Sequence, residues 1–158
     1  MSVILKLIQL PYRLSTGTRS LPDFLLIGAQ KSGTTSLFHY LAQHSQVAVN
    51  LRKRKETYFF YKDYGKGLGY YRQYFPFRDT PGLVGEGSTG YFHSANVPER
   101  VYEALPEARL LLVLANPLHV RSRITIIMLN VAVSLGLLKT LFLRRFFNNF
   151  KLVNYRMD

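Results

Sequence analysis

The amino-acid sequence has 158 residues, enough for one domain with a sizeable core. It contains no cysteine, which excludes disulfides, a thiol nucleophile and cysteine-based zinc sites and suits a reducing compartment. The net charge of +12 favours anionic ligands, whether a small anionic donor, a polyanionic glycan or nucleic acid. Half of that charge falls on residues 119–158, so this last quarter of the chain differs in composition from the rest.

Residues 1–20 form an N-terminal lead-in. Residues 1–10 are apolar and basic, but Lys6 interrupts the apolar run and no small-residue cleavage site follows, so a signal peptide is not expected.

Short apolar runs then alternate with segments of helical periodicity, which predicts an α/β fold with a parallel sheet flanked by helices. A ligand site is expected at the carboxyl ends of the strands. The predicted strands are Phe24–Ile27, Val47–Val49, Leu83–Gly85 and Leu110–Leu114, and the predicted helices are Thr35–His44, Gly67–Tyr74 and Pro98–Ala104. In the first helix, Leu37, Tyr40 and Leu41 are expected to face the sheet.

Ten aromatic residues lie between residues 58 and 77. Core packing is their expected use, and stacking on nucleobases or sugars is the alternative. The basic run from Arg52 to Lys55 is read either as solvated charge or as part of a site.

The octapeptide that follows the first strand, Gly28–Thr35, has the typical composition of a phosphate cradle. Its glycines have the G-x-x-x-x-G spacing of a P-loop, which directs backbone N–H groups and a helix N-terminus at an anion. Thr34 follows the second glycine, where nucleoside triphosphatases have lysine, and Lys31 lies inside the loop instead. An ATPase site is therefore disfavoured.

This loop resembles the 5′-phosphosulfate loop of sulfotransferases that use 3′-phosphoadenosine 5′-phosphosulfate, the sulfuryl donor. Further blocks resemble the heparan-type carbohydrate sulfotransferases in the same order, and the resemblance extends over residues 21–117. These blocks are Lys55–Phe60, the segment from Lys66 to Pro76, Gly85–Tyr91 and Val97–Tyr102. The resemblance implies a P-loop-type fold and transfer of a sulfuryl group from the donor to a hydroxyl or amine of a carbohydrate.

The resemblance also implies roles for individual residues. Lys31 would stabilise the departing phosphate and Glu56 would take the acceptor's proton; the alternatives are a solvated loop lysine and an exposed carboxylate that offsets nearby positive charge. Ser88 and Tyr91 would contact the substrate, although Gly87 stands where well-known vertebrate members have lysine. The residues assigned to the donor are Gln30, Lys31, Ser32, Gly33, Thr34, Thr35 and Ser36, with helix capping as the alternative for Thr34 and Thr35. The four histidines show no ligand spacing, so no metal is expected.

After the last predicted strand the resemblance breaks. Family members continue with Arg-Asn-Pro and a downstream serine that grip the 3′-phosphate, whereas this chain has Ala115 and Arg123 at those positions. The sulfotransferase-like domain, residues 21–118, is accordingly expected to be truncated after this motif. A nonenzymatic nucleotide- or polyanion-binding remnant is the alternative function.

Residues 119–158 are expected to form an apolar, basic tail. Back-translation of residues 121–128 in a shifted frame permits Phe-Ser-His-Tyr-Tyr-His-Met, which resembles the family's next helix, so a frameshift near residues 118–120 is a hypothesis that the coding DNA would decide. Residues 124–143 form a mainly apolar stretch, expected to be an exposed tail or a loosely packed helix. A membrane-spanning helix, and hence a membrane-anchored fragment, is the alternative. The expected location is cytoplasmic, with neither nucleic acid nor membrane as a partner.

Overall fold

The computed structural model describes residues 16–49, 55–115 and 124–130, which form one five-stranded sheet with helices on its faces. The strands are β1 (Phe24–Gly28), β2 (Val47–Val49), β3 (Leu83–Gly87), β4 (Arg109–Ala115) and β5 (Ile124–Asn130), in the spatial order β2-β3-β1-β4-β5. β2, β3, β1 and β4 are parallel, and β5 pairs antiparallel with β4. The predicted α/β fold with a mainly parallel sheet is confirmed.

Three α-helices connect the parallel strands: α1 (Thr34–Gln43), α2 (Gly67–Arg72) and α3 (Val97–Ala104). Shorter helical turns cover Thr16–Thr18, Phe59–Asp63, Tyr64–Lys66 and Thr89–His93. Pro98 occupies the first turn of α3, where its missing N–H costs no intrahelical hydrogen bond. The predicted helices are all present, with ends that differ by one or two residues.

Side chains of β1 and β4 alternate between two apolar layers. Leu25, Ile27, Leu110 and Leu112 belong to the larger layer. It also contains the buried aromatic residues Phe59, Phe60, Tyr71, Tyr74, Phe75 and Tyr91. The rings of Phe59 and Tyr71 stack with their centroids 4.3 Å apart. Core packing is therefore the observed use of most of the aromatic cluster.

The second apolar layer lies between the sheet and α1. It shows that a different face of α1 from the predicted one packs on the sheet. Phe38 is buried against the sheet, and Leu37 and Leu41 pack beside it. Tyr40 was expected on this face but is 67% exposed. With about 100° between successive residues, positions 34, 37, 38 and 41 form one stripe and Tyr40 falls outside it.

β5 corrects the expectation that the segment after residue 123 is an exposed tail or a helix. Its seven residues pair with β4 from Arg109↔Asn130 to Ala115↔Ile124. Ile127 is buried in the larger apolar layer, whereas Met128, its neighbour, is 60% exposed. Alternation with a period of two is what a strand on the sheet edge requires. Residues 131–143 of the apolar stretch lie outside the described residues.

The helices within residues 16–49, 55–115 and 124–130 are all too short or too polar to cross a bilayer.

Gly85 on β3 provides a test of this packing. A Cβ added there would stand 2.0 Å from the Phe24 ring, so we expect Gly85→Ala to lower the free energy of unfolding by about 1–3 kcal/mol through overpacking. Gly65→Ala is the control, since an added Cβ at Gly65 meets nothing within 4 Å. Urea unfolding of both variants measures the difference, and equal midpoints would contradict the register of β1 and β3.

Candidate functional site

The loop between β1 and α1 has the backbone of an anion cradle. Gly33 is the N-cap of α1 in the left-handed conformation (φ 85°), and no side chain caps the helix. The first N–H groups of a helix have no intrahelical partner, so the start of α1 presents free donors and the positive end of its dipole. Capping by Thr34 or Thr35, the alternative for these residues, is therefore not observed.

The loop side chains differ in exposure. Ser32 and Thr34 are buried, while Gln30, Lys31, Thr35 and Ser36 are exposed. Lys31 has a positive φ of 62°, in a region where residues with a Cβ are uncommon. Loop and helix start bring all the sequence-predicted donor-binding residues together at the carboxyl end of β1, although α1 and the loop alone do not define a ligand.

Lys55 connects this loop to the Glu56 segment. Its Nζ donates to Thr34 Oγ1 at 3.0 Å and to Thr35 Oγ1 at 3.4 Å. The same ammonium lies 3.6 Å from Glu56 Oε1. Burial lowers the pKa of Lys55, and the charge of Glu56 opposes that change. Lys55 is thus a partly buried, hydrogen-bonded lysine rather than solvated charge, and residues 52–54 of the basic run lie outside the described residues.

Glu56 is held at the edge of the loop. Its Oε1 accepts a hydrogen bond from Thr89 Oγ1 at 2.8 Å, and its side chain retains 21% exposure. A carboxylate that is fixed on one oxygen and still accessible can accept a proton from a bound acceptor. From sequence, neither Lys55 nor Thr89 receives an individual role, although both lie inside the family-like blocks Lys55–Phe60 and Gly85–Tyr91.

Ser88 and Tyr91 are placed differently from their expected role as substrate contacts. Both are buried, with exposures of 0% and 2%. Ser88 Oγ and Tyr91 OH each donate to Glu86 Oε1, at 2.5 and 2.9 Å. In this position neither hydroxyl can contact a substrate directly, because both are engaged inside the core with Glu86, a residue that sequence reasoning left unassigned.

A cleft of about 490 Å³ opens beside Glu56. The residues that line it are Glu56, Thr57, Tyr58, Lys62, Asp63, Tyr70 and Tyr74. Lys62 Nζ lies 4.9 Å from the centre of the Tyr58 ring, and the hydroxyls of Tyr70 and Tyr74 are 3.0 Å apart. Aromatic faces with a nearby cation offer a surface to a ligand that has apolar faces and negative charge.

Ala115 ends β4, which is adjacent to β1 in the sheet. The arginine expected to grip a 3′-phosphate is absent there, and the position of the expected serine, Arg123, lies outside the described residues. In the part of the chain that the structure describes, no three His, Asp or Glu side chains cluster as metal ligands would.

Comparison with known proteins places these residues in a family context. The chain is 38% identical over 103 residues to bifunctional heparan sulfate N-deacetylase/N-sulfotransferase 4 of Mus musculus, covering 61% of this chain and 12% of the mouse protein. It is 35% identical over 102 residues to a membrane-associated sulfotransferase of Dictyostelium discoideum, covering 63% and 21%. The chain therefore spans only a small part of these relatives.

A crystal structure of a sulfotransferase from Alicyclobacillus acidocaldarius superposes with a TM-score of 0.47 and 30% identity, covering 59% of this chain and 44% of that one. No protein-family model matches the chain. The homologues of this chain are heparan sulfate N-sulfotransferases and other sulfotransferases, which confirms the family resemblance that its motifs predict.

Proposed function

We propose that the chain transfers a sulfuryl group from 3′-phosphoadenosine 5′-phosphosulfate to a hydroxyl or amine of a carbohydrate. The observation that carries this proposal is the position of Lys55, whose ammonium contacts the hydroxyls at the start of α1 and lies 3.6 Å from the Glu56 carboxylate. An anion-binding helix start and a candidate base are thereby within reach of one side chain. Sulfuryl transfer needs both at the same place.

The proposed reaction assigns one task to each charged residue. Glu56 takes the proton of the acceptor, whose oxygen or nitrogen forms the new bond to sulfur. The bond between sulfur and the bridging oxygen breaks, and the electron pair stays on the 5′-phosphate of the leaving nucleotide. Lys31 and Lys55 neutralise the charge that develops on that phosphate.

Titration with 3′-phosphoadenosine 5′-phosphate tests the donor site, and turnover of sulfur-labelled donor tests the transfer. We expect calorimetry to detect binding and a carbohydrate acceptor to take up label. Binding without any transfer would favour the second function below, and absence of binding would contradict both.

Lys55 gives a sharper test of the same site. We expect Lys55→Met, which keeps the apolar stem and removes the ammonium, to weaken binding of 3′-phosphoadenosine 5′-phosphate by about tenfold or more, as loss of charge-assisted hydrogen bonds does. Calorimetric titration measures it. Lys66→Met is the matched control, because Lys66 is exposed and pairs with Asp63 at 2.8 Å. Equal effects of both substitutions would indicate a general loss of positive charge.

The acceptor is proposed to bind in the cleft beside Glu56. The half-buried ring of Tyr70 can pack on the apolar face of a sugar ring, and Lys62 can pair with an anionic substituent of the same chain. This location supports Glu56 as the base because the carboxylate lines the cleft that would hold the acceptor.

A second function, binding of a nucleotide or polyanion without catalysis, is favoured by one observation. Ala115 stands where the family has the arginine of the 3′-phosphate site, and loss of such a contact costs a phosphate ligand about 2–4 kcal/mol. Comparing adenosine 5′-phosphosulfate with its 3′-phosphorylated form separates the two functions. A preference for the 3′-phosphorylated donor supports the transferase, and equal affinity supports the second function.

The compartment is proposed to be cytoplasmic, on the ground that a chain without cysteine suits a reducing environment. Fractionation of cells that express the full chain tests this proposal, and recovery in the membrane fraction would contradict it.

A further inference from the structure

Glu86 on β3 is a fully buried carboxylate that the proposed reaction does not use. Neither of the two ion pairs within the described part of the chain includes it. It accepts hydrogen bonds from four hydroxyls instead. Thr57 Oγ1 and Ser88 Oγ donate to Oε1 at 2.5 Å, Tyr91 OH donates to the same oxygen at 2.9 Å, and Tyr71 OH donates to Oε2.

Three of these hydroxyls also hold the backbone that follows Glu56. Ser88 Oγ accepts the N–H groups of Thr57 and Tyr58 at 3.1 and 3.2 Å. Thr57 Oγ1 accepts the N–H of Phe59 at 3.2 Å, and Tyr91 OH accepts that of Phe60 at 3.3 Å. Four successive N–H groups, from Thr57 to Phe60, are therefore bound by hydroxyls whose own protons point to one carboxylate.

The direction of these hydrogen bonds depends on the charge of Glu86. An ionised carboxylate only accepts, so each hydroxyl must donate to it and is left with lone pairs for a backbone N–H. Burial raises the pKa of Tyr91, and the charge of Glu86 raises it further, which keeps this hydroxyl a donor. Burial also raises the pKa of Glu86, but the four hydrogen bonds oppose that rise.

The held segment contains an unfavourable backbone conformation. Tyr58 has a φ of 54°, which a residue with a Cβ adopts only when its surroundings impose it. This residue lies two positions after Glu56 and lines the same cleft. The N–H groups of residues 57–60 are bound by hydroxyls that donate to Glu86, while Gly87 N–H donates to the carbonyl of Lys55 at 3.2 Å and Thr89 Oγ1 donates to Glu56 itself.

We propose that Glu86 is a positioning residue which, through Ser88, Thr57 and Tyr91, fixes the backbone of Thr57–Phe60 and so places the Glu56 carboxylate at the phosphate loop. Glu86 does not touch the reacting groups, and this inference rests on the proposed role of Glu56. Its structural part, the clamping of four amides by one carboxylate, can be measured independently of catalysis.

Two tyrosines provide a matched pair for the experiment. Tyr91→Phe and Tyr71→Phe each remove one hydroxyl from Glu86, but only the Tyr91 hydroxyl also binds a backbone N–H of the segment. We expect Tyr91→Phe to speed hydrogen exchange of the Phe60 amide by about tenfold or more, while Tyr71→Phe leaves residues 57–60 protected. The full chain is used, and the amides of β1 and β4 report whether the fold is intact.

Glu86→Gln should loosen all four amides in the same measurement. If that variant fails to fold, Thr57→Val replaces it, and Thr57→Ser is expected to restore the protection that Thr57→Val removes. Unchanged exchange of residues 57–60 in Tyr91→Phe, or equal effects of Tyr91→Phe and Tyr71→Phe, would overturn the proposal.

A double-mutant cycle tests the link to Glu56. We expect Tyr91→Phe to lower kcat while the affinity for 3′-phosphoadenosine 5′-phosphate stays within about twofold, and to cause no further loss in a Glu56→Gln background. Multiplicative losses would show that Glu86 does not act through Glu56. Absence of transfer by the unmodified chain would count against the proposed function, and the exchange measurement would still decide whether Glu86 holds the segment.

Discussion

Replacing Glu56 by glutamine is expected to reduce sulfuryl transfer by about 10²- to 10⁴-fold, the usual contribution of a general base. The substitution keeps the shape of the side chain, and the glutamine carbonyl can still accept the hydrogen bond from Thr89 Oγ1. The fold and the donor site should therefore persist. Affinity for 3′-phosphoadenosine 5′-phosphate should change little, because a base acts on the acceptor and not on the nucleotide.

Single-turnover kinetics with labelled donor, combined with calorimetry, measures both quantities. Glu107→Gln is the control. Glu107 is exposed in the turn before β4, and its substitution removes the same charge. If Glu56→Gln weakened nucleotide binding and left the transfer step unchanged, Glu56 would be a donor contact instead of a base.

The central part of the sheet could be predicted from sequence because its signals are local. Phe24–Ile27 is an unbroken apolar run that ends at Gly28, and this pattern suffices to identify a buried parallel strand before a glycine-rich turn. The loop and the start of α1 follow at once in the chain. Because residues 28–36 are contiguous in the chain, the sequence also predicts that they lie at one place, the carboxyl end of β1.

The errors arose where long-range contacts decide the structure. The apolar residues of Ile124–Asn130 fit a helix, a tail or a strand, and the choice of a strand depends on the free edge of β4, which no local pattern encodes. Tyr40 was placed on the wrong face of α1 because helical spacing allows two neighbouring apolar stripes. The structure selects the stripe that contains Phe38, whose ring packs over Gly87: a Cβ added at Gly87 would lie 3.0 Å from that ring.

In the candidate site, too, local sequence signals were sufficient for some residues and long-range contacts decided the others. Motifs identified the loop and Glu56, but the roles of Lys55, Ser88 and Tyr91 depend on partners far away in the chain. Lys55 contacts Thr34, 21 residues earlier, and Tyr91 holds the amide of Phe60, 31 residues earlier. The motif suggested that the hydroxyls of Ser88 and Tyr91 contact the substrate, whereas in the structure both donate hydrogen bonds to the buried Glu86 carboxylate. The available signal was a glutamate directly after the predicted strand Leu83–Gly85: the observed strand continues to Gly87, and a charged group buried there requires several hydrogen-bond partners.

Lys31→Ala is expected to lower the rate of sulfuryl transfer by about 10²- to 10³-fold, as loss of one preorganised contact to developing charge does. The free energy of unfolding should hardly change. Lys31 is exposed, so its side chain contributes little to the fold. Its backbone is left-handed at φ 62°, and this conformation costs alanine about as much as lysine because both carry a Cβ. Binding of 3′-phosphoadenosine 5′-phosphate should also weaken, because this product carries the full charge on its 5′-phosphate.

A loss of general positive potential would produce a similar trend, so the control must separate the two effects. Arg109 is exposed at the amino end of β4, the edge of the parallel sheet opposite the phosphate loop, and Arg109→Ala removes the same charge. A long-range field would make the two variants alike at low ionic strength and would fade in salt, because exposed charges are screened beyond about 10 Å at 0.1 M. A contact between Lys31 and the leaving phosphate predicts a rate loss that is specific to Lys31→Ala and persists at high salt. Equal losses that disappear in salt would reassign Lys31 to electrostatic steering of the donor.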